Sequence, residues 1–236
     1  MIVYPKNWTK IGEVIEIKEI EDTILQILSE IDCPFLSFSG GLDSSLMLYY
    51  MLKIYSQVYA YTMGSSELHP DVTYSKLVVD KFGDNIVHKV FIPSCEEIKN
   101  VKRFPEDLSG DLAVRLFYDF VGKHTNKIIA CDGIDEFMCG YYSHQENPCE
   151  CLYYAYLRQL QESHLLPLHK NSRDVQVFLP FLDSRLLLLF SQIPVSEKVD
   201  KGCRKKVLVR MAEDKIPYGV INRRKYGFCD VLKIKT

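Results

Sequence analysis

Residues 39–45, with the sequence SGGLDSS, contain side-chain types that bind phosphate. The two glycines let backbone N–H groups approach oxygen atoms closely, and the serine hydroxyls add hydrogen-bond donors. The carboxylate of Asp43 is a suitable ligand for Mg²⁺, which neutralises phosphate charge. A short apolar run precedes this segment and a helical run follows it, so the N–H groups at the helix start converge on one spot. The sequence therefore predicts an anion-binding loop at the end of a buried strand.

Two common nucleotide-binding patterns are absent from this loop. The P-loop of nucleoside triphosphate hydrolases requires GxxxxGK followed by serine or threonine, and no lysine stands in that position here. The dinucleotide-binding pattern GxGxxG is absent as well. The loop is therefore not a site of the P-loop class, which cleaves the γ-phosphate.

The elements that must position this loop alternate between strand and helix. Helical spacing of apolar residues predicts helices, and short β-branched or aromatic runs predict strands. The predicted order is helix 18–30, strand 34–38, helix 46–54, strand 58–62, helix 70–83, strand 86–92, a helix starting at the capping-box pair Ser94 and Glu97, helix 112–124 and strand 127–131. This alternation predicts an α/β fold with a parallel, doubly wound sheet, whose ligands bind at the carboxyl ends of the strands.

After residue 142 the pattern becomes mostly helical. Helices are predicted at 151–165, 183–193 and 202–214, with a weaker strand signal at 175–179. We therefore predict a single domain over residues 1–236. It consists of an N-terminal extension of about 30 residues, a nucleotide-binding α/β core over 31–142, and a helical part over 143–236 that completes the active site.

Composition excludes several classes of protein. The chain has 236 residues, of which 47% are hydrophobic and 25% charged, as in ordinary globular domains. No uncharged stretch reaches the roughly 20 residues of a membrane helix, and no signal-peptide pattern follows the N-terminus, so we expect a cytoplasmic protein without membrane contact. The eight cysteines form no CxxC pair and are expected to be reduced thiols. The closest pair, Cys149 and Cys151, lacks further zinc ligands at suitable spacing.

The net charge of −2 hides an asymmetry along the chain. Residues 201–236 contain eleven basic and three acidic side chains, a net charge of +8, which leaves −10 for residues 1–200. Such a basic segment predicts an anionic ligand, either the phosphates of a nucleotide or a nucleic acid. The chain as a whole is not basic enough to favour nucleic acid. Within the segment, Arg204, Lys205 and Arg224 are interpreted as a solvated basic surface.

A series of ordered motifs resembles the asparagine synthetase family. SGGLDSS resembles the PP-loop of the ATP pyrophosphatases, which cleave ATP between the α and β phosphates. CDGIDE at 131–136, followed by GY at 140–141, resembles the GEGxDExxxGY segment of asparagine synthetases. PFLD at 180–183, the run 206–212 and RRKYGF at 223–228 resemble the family's PFLD, KxxLRxA and RxKxGF patterns. The resemblance spans residues 32–230.

The resemblance implies a site at the ends of the first and fourth strands. Asp43 and Asp135 would share Mg²⁺ on the pyrophosphate, Lys225 would contact the α-phosphate or the tetrahedral intermediate, and Asp132 would accept the proton of the attacking amine. The other residues implied for ATP and pyrophosphate are Phe38, Ser39, Gly40, Gly41, Ser44, Ser45, Met63, Gly64, Gly133, Lys206 and Arg210. Those implied for the substrate pocket are Glu136, Tyr141 and Asp183.

The chain also departs from the family pattern where substrates would bind. Asparagine synthetases usually begin with a glutaminase domain whose nucleophile is the cysteine after the initiator methionine, whereas position 2 here is Ile2. We therefore expect that the chain alone does not use glutamine. The glutamate of GEG is replaced by Asp132, one methylene shorter, and ExR before PFLD is replaced by Gln176 and Phe178. The identities of the acid and the amine stay open.

The resemblance implies an ATP-dependent amidoligase with ATP and Mg²⁺ as cofactors. A carboxylate would be adenylated with release of pyrophosphate, and ammonia or an amine would take the acyl group. The product would be a primary amide, an internal amide of the kind that β-lactam synthetases form, or the amide of another acid. Two alternatives remain: a PP-loop tRNA-modifying or other nucleotide-dependent enzyme, and a non-catalytic ATP-binding subunit of a separate glutaminase.

Overall fold

The computed structural model describes residues 15–227 and Leu232, and its centre is one five-stranded sheet. The strands are β1 (Phe35–Ser37), β2 (Val58–Met63), β3 (Ile86–Phe91), β4 (Lys127–Ile129) and β5 (Gln176–Phe178). All four strand pairs are parallel, and the spatial order is β3, β2, β1, β4, β5. The predicted α/β fold with a parallel, doubly wound sheet is confirmed.

Helices connect and cover the strands. They are α1 (Ile17–Glu30), α2 (Leu42–Ile54), α3 (Pro70–Phe82), α4 (Cys95–Asn100), α5 (Asp111–Gly122), α6 (Ile134–Phe137), α7 (Tyr142–Glu146), α8 (Glu150–Leu160), α9 (Leu166–Ser172), α10 (Ser184–Gln192), α11 (Val195–Lys198), α12 (Lys206–Ala212) and α13 (Tyr218–Ile221). A π-helical turn (Gln161–Leu165) joins α8 to α9, and a 3₁₀ turn (Pro180–Leu182) precedes α10. Among the residues the structure describes, no helix is long and apolar enough to cross a membrane.

Side chains of β2 show that both faces of the sheet are covered. Val58 and Ala60 pack in the cluster that contains α1, α2 and α12, whereas Tyr61 and Met63 pack in a second cluster around α5 and α9. Alternate residues of a strand point to opposite faces, so the two clusters lie on opposite sides of the sheet. A sheet buried on both faces explains why the strands appear in the sequence as short apolar runs.

The order of the strands creates a crevice at the middle of the sheet. From β1 the chain proceeds outward through β2 to β3, and then returns to β4 on the other side of β1. The connections after β1 and after β4 therefore leave the sheet in opposite directions, which opens a gap between the carboxyl ends of these two strands. Residues 39–45 and 131–136 follow these strand ends and border the gap.

Two predicted helices differ from the structure in ways that matter for the site. The predicted helix 202–214 begins only at Lys206, because Asp200 Oδ1 accepts the N–H groups of Gly202 and Cys203, both at 2.8 Å, and holds a turn there. The predicted helix 151–165 ends in the π turn and continues as α9. Pro167, in the first turn of α9, lacks an N–H, which explains the departure from α-helical hydrogen bonding in the preceding π turn.

Lys198, at the end of α11, is fully buried beside aromatic side chains. Its Nζ donates to Tyr153 Oη at 2.8 Å and lies 4.2 Å from the centre of the same ring. Burial lowers the pKa of Lys198 to about 7. The folded protein therefore releases this proton at lower pH than the unfolded chain does, so Lys198 makes stability increase as the pH rises above 7.

We expect Lys198→Met to remove this pH dependence. The free energy of unfolding of the wild type, relative to the variant, should increase by about 2 kcal/mol between pH 7 and pH 9. Urea unfolding of both proteins at several pH values measures the difference. A difference that does not change with pH would show that Lys198 is charged in the folded protein throughout this range.

Candidate active site

The loop after β1 is held against α3 and the first turn of α2. Gly40 has φ +64°, and a Cβ at this position would lie 2.2 Å from the backbone nitrogen of Ser75, so only glycine fits. The N–H of Gly41 donates to Ser39 Oγ at 3.3 Å, and the N–H of Ser39 donates to Ser44 Oγ at 3.3 Å. These bonds fix the loop in a tight turn with Asp43 in the first turn of α2.

The loop after β4 brings a second carboxylate to the same gap. Gly133 has φ +87°, and a Cβ there would lie 2.5 Å from Leu182 Cδ2. Helix α6 starts directly after this glycine and places Asp135 in its first turn. Asp135 is 8% exposed. Asp43 and Asp135 therefore face each other across the sheet edge, where both contact Lys205.

Two lysines join these carboxylates in what we call the acid–lysine cluster: Asp43, Asp135, Lys205 and Lys225. Lys205 Nζ lies 2.7 Å and 2.6 Å from the two carboxylate oxygens of Asp43 and 2.7 Å from Asp135 Oδ1. Lys225 Nζ forms an ion pair with Asp135 Oδ2. Burial by itself raises the pKa of Asp135, but the charges of Lys205 and Lys225 outweigh this effect and hold the pKa well below its usual range.

The cluster has the donor set that a magnesium site at this position requires. Asp43 and Asp135 converge on a single cationic atom, so their oxygens already surround a position suited to positive charge. In the described part of the chain, no group of three or more His, Cys, Asp and Glu side chains is arranged to hold a metal. Mg²⁺ commonly binds one or two carboxylates together with substrate phosphates and water, so two aspartates fit such an ion.

Two adjoining cavities open on either side of the cluster. The basic cavity has a volume of about 230 Å³ and is bordered by the loop after β1 and by four cationic side chains, Arg204, Lys205, Arg223 and Lys225. The aromatic cavity has a volume of about 200 Å³, and its wall includes Phe38, Tyr61, Met63, Phe117, Gly133 and His164. The residues that border both cavities are Ser39, Asp43, Lys225 and Tyr226.

Arg223 ties the C-terminal segment to this site. Its Nη1 donates to the carbonyl oxygens of Ser39 at 3.2 Å and Pro70 at 3.3 Å, and its Nη2 forms an ion pair with Asp71. Both members of this pair are buried. Lys225 follows two residues later, so the anchored arginine positions it between the cavities. Sequence reasoning did not find Asp71 or assign a role to Arg223.

Asp132 has a partner that the sequence did not indicate. His164 Nε2 lies 2.7 Å from Asp132 Oδ1, and both side chains border the aromatic cavity. His164 belongs to the π turn between α8 and α9, a type of helix defect that is frequent at functional sites. Burial lowers the pKa of His164, but the hydrogen bond and the charge of Asp132 outweigh burial and raise the pKa to about 9.

Several predicted residues support the site without bordering either cavity. Gly40 and Ser45 are the buried residues of the loop segment that border neither cavity, and Gly64 packs against His69 and Val72. Glu136 is buried and accepts a hydrogen bond from Tyr141 Oη at 2.6 Å. Lys225 Nζ lies 5.8 Å from the centre of the Tyr141 ring, so the hydrogen-bonded pair of Glu136 and Tyr141 lies next to the acid–lysine cluster.

Three predicted site residues contact partners outside the site and border neither cavity. Lys206 Nζ donates to the carbonyl oxygen of Ser196 at 2.9 Å and lies 3.2 Å from Asp200, while Arg210 pairs with Glu197 at 3.5 Å. Neither side chain lines the basic cavity, and their partners lie in α11 and the turn that follows it. Asp183 caps α10 and pairs with Arg185 at 2.9 Å, which in turn pairs with Glu30 at 2.7 Å.

The interpretation of Lys205 as a solvated surface residue is wrong. The residue is only 5% exposed, because the turn before α12 places it in the left-handed region and directs its side chain between the two aspartates. Arg204 is half-buried, with its guanidinium 3.8 Å from the centre of the Tyr142 ring. Arg224 is exposed, as interpreted from the sequence. Cys149 and Cys151 are free thiols.

Comparison with known proteins identifies one family. The family model described as asparagine synthase matches residues 32–179 and 168–235. The matched ranges include both strand-end loops, the π turn, and the segment that contributes Lys205, Arg223 and Lys225. No curated protein sequence matches the chain.

Proposed function

Because the chain belongs to the asparagine synthase family, we propose that it is an ATP-dependent ligase that adenylates a carboxylic acid, releases pyrophosphate and transfers the acyl group to ammonia or an amine. The family supports an ATP-dependent amidoligase in general. The observation that carries the specific proposal is the acid–lysine cluster at the junction of a basic and an aromatic cavity. A molecule with a polyanionic end and an aromatic end fits such a pair of cavities.

The charges of the cavities support one orientation of ATP. The β and γ phosphates would lie in the basic cavity, near the N–H groups of the loop after β1 and the guanidinium of Arg223. The adenosine would lie in the aromatic cavity, against Phe38, Met63 and Gly133. The α-phosphate would then stand at the junction, within reach of Lys225.

In the proposed first step, a carboxylate oxygen of the acid attacks the α-phosphorus. A new carboxylate–phosphorus bond forms, the bond from the α-phosphorus to the bridging oxygen breaks, and its electron pair leaves with pyrophosphate. Lys225 offers a fixed positive charge to the α-phosphate oxygens, and the loop N–H groups offer hydrogen bonds to the leaving group. Mg²⁺ held by Asp43 and Asp135 would neutralise further phosphate charge.

In the proposed second step, ammonia or an amine attacks the acyl carbon. The carbon–nitrogen bond forms, the bond from the acyl carbon to the AMP oxygen breaks, and AMP leaves as an anion. The attacking nitrogen loses a proton. Asp132 is the proposed acceptor because its carboxylate borders the aromatic cavity. The hydrogen bond from His164 holds one carboxylate oxygen of Asp132 and leaves the other for the amine.

The nitrogen donor is proposed to be free ammonia or an amine, with a separate glutaminase as the alternative source. Ile2, on which the expected lack of glutamine use rests, lies outside the described residues. The basic C-terminal segment is one of the two supports for the tRNA-modifying alternative. Three basic side chains of that segment, Lys205, Arg223 and Lys225, turn into the basic cavity. A nucleotide therefore accounts for these three of the segment's eleven basic side chains without a nucleic acid.

Isotope exchange between ATP and labelled pyrophosphate tests the proposed first step. We expect exchange that requires Mg²⁺ and one member of a panel of amino acids and small dicarboxylic acids, with L-aspartate included because of the family match. The amine is omitted, so that the acyl-adenylate returns to ATP. Exchange without any acid, or consumption of ATP without exchange under every condition, would contradict the proposal.

Asp132→Asn is expected to separate the two steps. Amide formation with ammonia should slow by about a hundredfold, because the attacking nitrogen loses its proton acceptor, while pyrophosphate exchange should stay within a fewfold of the wild type. His164→Gln should slow amide formation to a smaller extent, since an uncharged donor still orients Asp132. The control is His169→Gln, because His169 is exposed on α9. Equal loss of exchange and amide formation in Asp132→Asn would instead assign Asp132 to the nucleotide site.

A further inference from the structure

We propose that Lys205 is a phosphate-binding residue that occupies the cation position between Asp43 and Asp135 until a triphosphate arrives, so that the metal enters with the nucleotide and not before it. This inference rests on the proposed function, because it assumes that the basic cavity receives the phosphates of ATP. Residues 206–212 resemble a family motif, but Lys205 stands just before them and was not among the predicted site residues.

The contacts of Lys205 are those expected of a bound cation. Its Nζ lies within 2.7 Å of three carboxylate oxygens, two from Asp43 and one from Asp135. The ammonium therefore lies in the place where a metal shared by Asp43 and Asp135 would have to bind.

The surrounding backbone is shaped for this side chain. A Cβ at Gly140 would lie 2.2 Å from Lys205 Cε and 2.0 Å from Asp135 Oδ1, so a glycine is needed where the lysine passes. Lys205 itself has φ 54° and ψ 38°, in the left-handed region that non-glycine residues rarely adopt. The left-handed backbone of Lys205 and the glycine at position 140 together allow the ammonium to lie between two carboxylates.

The same side chain borders the cavity into which the phosphates would fit. Lys205 lines the basic cavity together with Gly41, Leu42 and Arg223. Four rotatable bonds let its ammonium move from carboxylate oxygens to phosphate oxygens without displacement of the backbone. Phosphate and carboxylate are both anionic acceptors, so the lysine can exchange one for the other.

Charge balance explains why metal and nucleotide should bind together. Asp43 and Asp135 balance Lys205 and Lys225, so the acid–lysine cluster is neutral as it stands. A divalent cation that entered alone would leave two uncompensated positive charges in a largely buried site, which is costly. A triphosphate brings enough negative charge to offset the metal and to receive the displaced ammonium.

Binding of Mn²⁺, followed by electron paramagnetic resonance of the free ion, tests this inference without reference to catalysis. We expect no specific Mn²⁺ binding to the wild type without nucleotide, and binding at least tenfold tighter to Lys205→Met. Lys206→Met is the matched control, because the neighbouring lysine pairs with Asp200 instead. Equal Mn²⁺ affinity of the wild type and Lys205→Met without nucleotide would overturn the inference.

Affinity for α,β-methylene-ATP, measured by titration calorimetry in excess Mg²⁺, tests the second half of the inference. Lys205→Met should bind the analogue at least tenfold more weakly than the wild type and Lys206→Met do. Unchanged affinity would contradict a role in phosphate binding. If the wild type also fails to bind the analogue, the proposed function fails. If the wild type and Lys205→Met bind the analogue with equal affinity, only the inference about Lys205 is rejected.

Thermal unfolding of the wild type gives a test that does not depend on a folded variant. Mn²⁺ alone should leave the melting temperature unchanged, whereas Mn²⁺ together with the analogue should raise it, because only the combination binds the folded protein. Equal stabilisation by Mn²⁺ with and without the analogue would overturn the inference. Lys205→Gln provides a second variant in which a hydrogen-bond donor is retained and the charge is lost.

Discussion

Asp43→Asn and Asp135→Asn are each expected to reduce amide synthesis by about a thousandfold or more, and the double variant should be little worse than either single one. Both carboxylates surround the same cationic position, at 2.6 to 2.7 Å from Lys205 Nζ. Loss of one carboxylate therefore disrupts the shared cation site to which the other carboxylate also contributes. Residues that act as a unit show such non-additive losses, whereas independent residues multiply their effects.

Steady-state amide synthesis by the wild type, the two single variants and the double variant, with and without EDTA, tests this prediction. Asp80→Asn is the matched control, because Asp80 is exposed on α3. Thermal unfolding of each variant distinguishes a catalytic defect from a loss of folding, which is a concern because each substitution leaves buried lysine charge less well compensated. Multiplicative losses in the double variant, or activity that EDTA does not affect, would contradict a shared metal.

Lys225→Met should reduce adenylation by about a thousandfold, which is the second large effect we expect. Lys225 borders both cavities and is paired with Asp135, so its ammonium lies where the α-phosphate would meet the acid. A fixed positive charge at this point stabilises the charge that develops on the α-phosphate oxygens during attack. Methionine retains most of the stem of the side chain but lacks the charge.

The ratio kcat/KM for pyrophosphate exchange measures this effect. Arg224→Met is the control, since Arg224 is the exposed neighbour of Lys225 in the chain. Arg223→Met should give an intermediate loss, because the anchored arginine positions Lys225 and does not itself stand at the junction of the cavities. Normal exchange in Lys225→Met with slow amide formation would assign the lysine to the second step instead.

The fold could be predicted from the sequence because its signals are local. The central strands β1, β2 and β4 are short, mostly apolar runs, and α1 places Ile20, Ile24, Ile27 and Leu28 on one buried face. The strand signal at 175–179 is confirmed as β5, at the edge of the sheet. The predicted helix 202–214 was too long at its start, because an aspartate side chain at position 200 competes locally for backbone N–H groups.

The candidate site could be predicted where a motif was present. Asp43 and Asp135 lie in motifs that follow strands, whose ends meet at one edge of the sheet, and Lys225 lies in a segment that resembles a family motif. The partners of these residues come from distant parts of the chain: Lys205 is 162 residues from Asp43, and Arg223 is 152 residues from Asp71. Periodicity and local spacing do not encode such contacts.

His164 was missed for a different physical reason. The sequence predicts a regular helix through residue 165, and in a regular helix a single polar residue suggests only an exposed position. The π turn changes the direction of this side chain and brings it to Asp132, 32 positions earlier in the sequence. Pro167 was the available signal, because proline inside a helical pattern indicates an irregular turn nearby.

Phosphorus NMR of a complete reaction mixture tests the central claim most directly. The sample contains the protein, ATP, Mg²⁺, ammonium chloride, and L-aspartate or whichever acid of the panel supports exchange. If the protein adenylates a carboxylate, AMP and pyrophosphate should appear in equal amounts, and their formation should require the acid. ADP and orthophosphate as the main products, formed at a rate that depends on the acid, would contradict the claim.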